Sequence, residues 1–306
     1  MVIFKNKYGE FRSGWAIVLS LVIMYVSQIA AALVQMVIMI VMYGMDEYPY
    51  WTVSVGVSST MTIIVYLFEI AAAMLLFYLI YKRPIRQMGF GKINWMKQLL
   101  LGGLYGLALM AIIVLILVLT GNAYITDVDF GRIITLEFIM GFLVYVCVGF
   151  YEEILCRGFM MTALKSTRNK WVIILLPSVI FGLLHMLNPN VTVFSIVNIV
   201  LVGIIFSYLM IKTGRIWASI GFHITWNFFQ GNVFGIPVSG TEDFSLMETV
   251  FTGNTWITGG AFGAEGGAVC TLVLAAFLLF IHFVIKAPDD NGWSIDSDMP
   301  LLRGQQ

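Results

Sequence analysis

Charge is scarce in this sequence. Of its 306 residues only 11% are Asp, Glu, Lys or Arg and 60% are hydrophobic, whereas soluble domains carry roughly 25% charged residues. A folded core of this length has nowhere to hide that apolar excess, which points to a lipid-embedded protein. A basic surplus is missing too. Seventeen Lys plus Arg stand against seventeen Asp plus Glu, and a phosphate-binding surface needs a cationic excess, so nucleic acid is excluded as a partner. Cysteine is rare: Cys147, Cys156 and Cys270 lie far apart in apolar runs without CxxC spacing. They read as packing residues rather than disulfides or redox centres.

What is abundant is long apolar runs. Stretches able to span a bilayer, about 17 to 25 residues each, occur at 14–42, 57–80, 98–120, 135–164, 171–188, 193–211, 215–232 and 267–286. The first runs well past the roughly 7 to 15 residues of a signal-peptide core, so it is expected to stay as an uncleaved helix. The eight-helix reading is tested by how the charges sort. Sixteen of the 17 basic residues lie at or near the N-terminal segment, the even-numbered connections and the C-terminal tail, and only Arg132 lies on the other side. The odd connections carry acids instead, among them Asp46, Glu47, Asp127, Asp129, Asp243 and Glu265. The positive-inside rule then places both termini in the cytoplasm.

The expected fold is an all-α integral membrane protein of eight transmembrane helices. Residues 1–13 form a cytoplasmic segment, 14–286 a single membrane domain with its core at about 133–232, and 287–306 a disordered cytoplasmic tail rich in Asp. Gly102 and Gly106 make a GxxxG in the third helix, a pattern of close helix packing. The long, Gly-rich connection 231–266 is expected to fold over an extracytoplasmic mouth.

Ionisable residues inside such helices are costly and point to function. Helix four holds Glu152, Glu153 and Arg157, helix five Phe181 and His185, helix seven His223 and Asn227. At about 1.5 Å per residue, these groups share a depth in the middle or cytoplasmic half of the membrane, while His282 falls near an interface and outside the cluster. Glu153 and Arg157, four apart, are expected to form a buried ion pair. Glu152 points about 100° away and stays free. Cys156 is placed on a different face from Glu152. Glu69 and Glu137 have no partner motif and read as interior or interface polar contacts.

A carboxylate beside a His can deprotonate a water, and a second His with an Asn amide can donate hydrogen bonds to a developing oxyanion. No GxSxG supplies a serine nucleophile. The same atoms suit a divalent metal such as zinc, held by Glu152, His185 and His223, but HExxH is absent and Asn is a poor zinc ligand. No cofactor is therefore expected.

Glu152-Glu153-x-x-x-Arg157, Phe181-x-x-x-His185 and His223-x-x-x-Asn227, in that order on successive helices, resemble the three motifs of the CAAX protease and bacteriocin-processing (CPBP, or Abi) family. The segment Lys212-Thr-Gly-Arg-Ile-Trp-Ala and Gly231-Asn-Val-Phe-Gly resemble its bacterial branch. The resemblance covers about 140–232. It implies an intramembrane endopeptidase of the bacterial plasma membrane with a cavity opening toward the cytoplasm. It further implies Glu152 as general base, His185 as the residue that positions the water, His223 and Asn227 as the oxyanion hole, and Glu153 and Arg157 in support. The substrate class it implies is a peptide or membrane-associated protein: a CAAX protein, a pheromone precursor or a bacteriocin leader. The competing reading is a non-catalytic scaffold or self-immunity protein that binds a partner through the same cavity; a third, proton-coupled transport, accounts less well for the His and Asn pair.

Overall fold

The computed structural model describes residues 3–5, 11–44, 55–286 and 293–294. Lys7, Asp46, Glu47 and all but two residues of 287–306 lie outside the described residues. Each of the eight apolar stretches is helical: α1 (Ser13–Tyr43), α2 (Val55–Tyr81), α3 (Trp95–Leu119), α4 (Leu136–Glu153), α5 (Lys170–Leu184), α6 (Val193–Thr213), α7 (Trp217–Phe228) and α8 (Ala268–Val284). The chain is mostly helical, and six of the described helices are long and apolar enough to cross a membrane. Helix α7 has 12 residues before it widens into a π-helical stretch, Phe229–Val233, and α8 is a shorter apolar helix.

Local sequence explains where helices start and stop. The Asn169 side chain accepts from the Trp171 and Val172 amides at the start of α5. Thr192 and Ser195 form a capping box for α6, which ends on Gly214 in the left-handed region. Helix α4 runs on from Glu153 into a π-helical stretch, Ile154–Met160, and a last α turn, Met161–Leu164. Such bulges often mark functional sites, because the extra residue re-aims neighbouring side chains.

The surface is apolar, unlike that of a soluble protein, and the interior holds polar groups beside an apolar core. Val41, Leu119, Ile134 and Phe283 are highly exposed, while Glu153, Arg157, Ser178, Ser207, His223 and Asn227 are buried. In lipid, polar groups are satisfied only by one another, so they gather at helix interfaces. The GxxxG of α3 sits against α7. A Cβ at Gly102 would lie 2.0 Å from the Ala218 carbonyl oxygen, and one at Gly106 2.4 Å from that of Phe222. Only glycine allows this approach, and it sets the position of the helix that carries His223 and Asn227.

Two features depart from the expected all-helical membrane domain and disordered tail. Ala123–Val128 (β1) and Met247–Phe251 (β2) form an antiparallel pair with a register shift between Ile125 and Asp127. The β-branched and aromatic residues of both segments favour strands, but each is too short to stand out among apolar helices. Trp293, within the segment expected to be disordered, is buried. Its backbone N–H donates to the Gly214 carbonyl, its Nε1 donates to Thr162 Oγ1 at 2.9 Å, and the Lys165 ammonium lies 4.2 Å from its ring centre. This apolar ring finds a pocket at the α4 end that composition alone does not reveal.

Candidate active site

The three motif helices enclose a cavity of about 490 Å³. Glu152, His185, His223 and Asn227 all line it, together with Phe181 and Phe206. Glu153 and Arg157 do not. Both of their side chains are 0% exposed, whereas Glu152 keeps 23% exposure. Adjacent carboxylates have thus been given different environments, as expected for one free and one structural group.

Arg157 Nη1 donates to Glu153 Oε1 at 2.8 Å, and its Nη2 to the Gly203 carbonyl at 3.1 Å. Its guanidinium lies between the rings of Phe181 and Phe206, 4.7 and 5.0 Å from their centres. This arrangement stabilises a charge that could not otherwise be buried. The structure also links this pair to the site. His223 Nδ1 lies 3.2 Å from Glu153 Oε1, and its Nε2 lies 3.4 Å from Glu152 Oε2. Phe206 stacks on the same imidazole with 5.0 Å between ring centres, so the ring is clamped on its face as well as at both nitrogens. Arg157, Glu153, His223 and Glu152 thereby form one continuous chain of charge-assisted contacts.

His185 ends α5 and begins a 3₁₀ turn. Its Nδ1 lies 2.8 Å from the Phe181 carbonyl. A carbonyl only accepts, so Nδ1 carries the proton and Nε2 faces the cavity as an acceptor. Among the described residues no contact joins His185 to Glu152; the imidazole beside Glu152 is that of His223. The Asn227 side chain lines the cavity with no hydrogen-bond partner among the described residues, so its amide is available to a ligand.

Cys156 corrects the face assigned to it. It lines the same cavity as Glu152, because residues four apart share a helix face. His282 lies apart, as expected: its Nδ1 is 2.7 Å from the Tyr208 hydroxyl and it does not line the cavity. Glu69 is 2% exposed and accepts from Ser27 Oγ at 3.2 Å, between α1 and α2.

The loop 231–266 does reach the cavity. Val238, Ser239, Thr241, Asp243 and Glu265 line it, as does Asn188, while among the described residues no Lys or Arg does. Of these, Val238, Ser239, Thr241, Asp243 and Glu265 belong to the acid-bearing connection 231–266. Glu265 is unforeseen as a buried group. It accepts from Trp226 Nε1 at 3.0 Å and from the Ser239 amide and hydroxyl at 2.9 and 2.7 Å, clasping the loop to α7 beside Asn227. A lone Glu among glycines carries no sequence signal for this role.

Among the described residues no three of His, Cys, Asp and Glu converge as a metal-binding set. The donors Glu152, His185 and His223 therefore do not fit a three-ligand metal centre in this conformation.

The model of the type II CAAX prenyl endopeptidase Rce1-like family matches residues 134–229, which hold every motif residue named above. Over that segment the chain is similar to this family, in line with the resemblance carried by the three motifs. A Bacillus subtilis (strain 168) relative, described as uncharacterized protein YyaK, is 30% identical over 174 residues, covering 54% of this chain and 58% of the relative. The chain thus matches a little over half of that relative's length. No solved structure matches.

Proposed function

We propose that this chain hydrolyses a peptide bond in a membrane-associated protein or peptide, with Glu152 as the general base. One observation carries the reading: of two adjacent carboxylates, Glu153 is fully buried against Arg157, while Glu152 opens onto the cavity beside an imidazole. A water held between Glu152 and the Nε2 of His185 attacks the carbonyl carbon. Its proton passes to Glu152, which delivers it to the leaving nitrogen as the C–N bond breaks. His223, fixed through Nδ1 by Glu153, turns its Nε2–H from Glu152 to the carbonyl oxygen, and the Asn227 amide joins it there as negative charge develops. No step passes through a metal.

In this reading the chain crosses a bacterial plasma membrane eight times with both termini in the cytoplasm, following the sorting of its basic residues. The loops that line the cavity then lie on the extracytoplasmic side. That favours a secreted precursor, such as a bacteriocin leader or a pheromone precursor, over a cytoplasmic prenylated protein.

The test is membrane peptidomics of cells carrying the wild type or Glu152→Ala. A precursor accumulating only with the variant supports peptidase action and names the substrate. Identical peptide profiles with a correctly inserted variant sink the reading and favour binding without cleavage.

A further inference from the structure

A second cavity, of about 240 Å³, adjoins the first. The two share the walls formed by Val144, Tyr145 and Asp243, with the Tyr145 hydroxyl donating to the Asp243 carboxylate. Besides Asp243, its polar lining comes from Glu137, Asn232 and the hydroxyls of Ser58, Ser59 and Thr62. Among the described residues no Lys or Arg lines either cavity.

The decisive group is Asn232. It is 1% exposed, its Nδ2 donates to the Phe244 carbonyl at 2.7 Å, and its Oδ1 has no hydrogen-bond partner. A buried amide carbonyl left unpaired is costly, and here it sits in the wall of a chamber that also holds two carboxylates. Glu137 lies in the first turn of α4. Arg132, whose guanidinium lies over the Phe244 ring, is already engaged by Asp127 and Asp129 at 3.4 and 3.5 Å. Among the described residues the chamber thus presents acceptors and no lining cation.

We propose that this chamber is a specificity pocket for a basic side chain, Lys or Arg, of the peptide that occupies the main cavity. The inference rests on the peptidase reading above. A metal ion is the poorer occupant: three acidic or imidazole ligands do not converge among the described residues, and the chamber is far roomier than a dehydrated ion needs. A side-chain ammonium or guanidinium fills it better, because its donors reach acceptors spread over several walls. Asp243, on the shared wall, would meet the charge as the side chain passes from one cavity to the other.

The probe is n-butylammonium, a lysine side-chain mimic, with n-butanol as the neutral control, added to the full chain in lipid nanodiscs and followed by saturation-transfer NMR. Saturable butylammonium binding that weakens at least about tenfold, or about 1.4 kcal/mol, in both Asp243→Asn and Glu137→Gln is expected, with no saturable butanol binding. Glu137 is partly exposed and its amide keeps the local shape, so that variant reads binding even where Asp243→Asn perturbs the loop. Equal binding of butanol, unchanged affinity in both variants, or displacement of butylammonium by calcium chloride would overturn the proposal. The two readings separate cleanly. Amine binding without proteolysis defeats the peptidase and leaves the pocket, whereas cleavage at equal kcat/KM of peptides carrying lysine or norleucine defeats the pocket and leaves the peptidase.

Discussion

The Nε2 of His223 lies 3.4 Å from Oε2 of Glu152, while the other nitrogen of the same ring is held by Glu153. The imidazole is therefore oriented by the buried carboxylate and aimed at the free one. If its Nε2–H serves the oxyanion, His223→Ala should lower kcat about 10² to 10³-fold, the usual effect of losing one such donor. Asn227→Ala should fall in the same range, and both variants should bind substrate with little change in KM. Steady-state kinetics on the precursor identified by peptidomics gives the answer; a loss of less than a few-fold in either variant removes that residue from the hole.

The Glu153 and Arg157 pair should matter for folding before chemistry. Arg157→Met leaves a fully buried carboxylate without its partner, which costs about 3 to 5 kcal/mol. Glu153→Gln in the Arg157→Met background removes the stranded charge and should recover part of that loss. Thermal unfolding in detergent measures both. Equal stability of Arg157→Met and the wild type would show that the pair is dispensable.

Gly106→Val drives a side chain into the Phe222 carbonyl and the Thr225 hydroxyl of α7. Overpacking of this kind costs about 1 to 3 kcal/mol or more, and it should also displace His223 and Asn227 from α4. The expected result is a lowered unfolding midpoint together with lost cleavage. A variant with wild-type activity would mean that α7 is not positioned by this contact.

Trp293 ties the C-terminal region to the turn between α6 and α7 and to the end of α4. Trp293→Ala should lose the Thr162 bond and the Lys165 contact, exposing nearby chain to added protease. Limited proteolysis followed by mass spectrometry checks this, and an unchanged digestion pattern would refute the anchor.

Because no three of its acidic, imidazole and thiol groups form a metal-binding set among the described residues, purified protein should keep its cleavage rate after dialysis against a chelator. A loss of activity restored by one divalent ion would overturn the metal-free mechanism proposed here.

Much of the architecture was legible in residue order. Long apolar runs become helices because a backbone in lipid has few other ways to satisfy its hydrogen bonds, and all eight stretches are helical. The GxxxG contact was readable for a related reason, since small residues spaced by four form a flat strip on a helix. The strands β1 and β2 were not, because pairing across more than 100 residues leaves no local period strong enough to compete with the surrounding apolar pattern. The π-helical turns and the place of Cys156 on the cavity wall escaped as well, since helix geometry was taken as uniform and a four-residue spacing was assigned to the wrong face.

Residue type and spacing alone marked the candidate groups: Glu152, His185, His223 and Asn227 stood out because lipid penalises them, and Glu153 and Arg157 because only a pair survives burial. The tertiary structure decided how those groups are arranged. Which histidine touches Glu152, which loops line the cavity, and how Glu265, Asp243 and Asn232 come to face it all depend on contacts between segments distant in sequence. Such contacts are set by packing, and local periodicity carries no record of them.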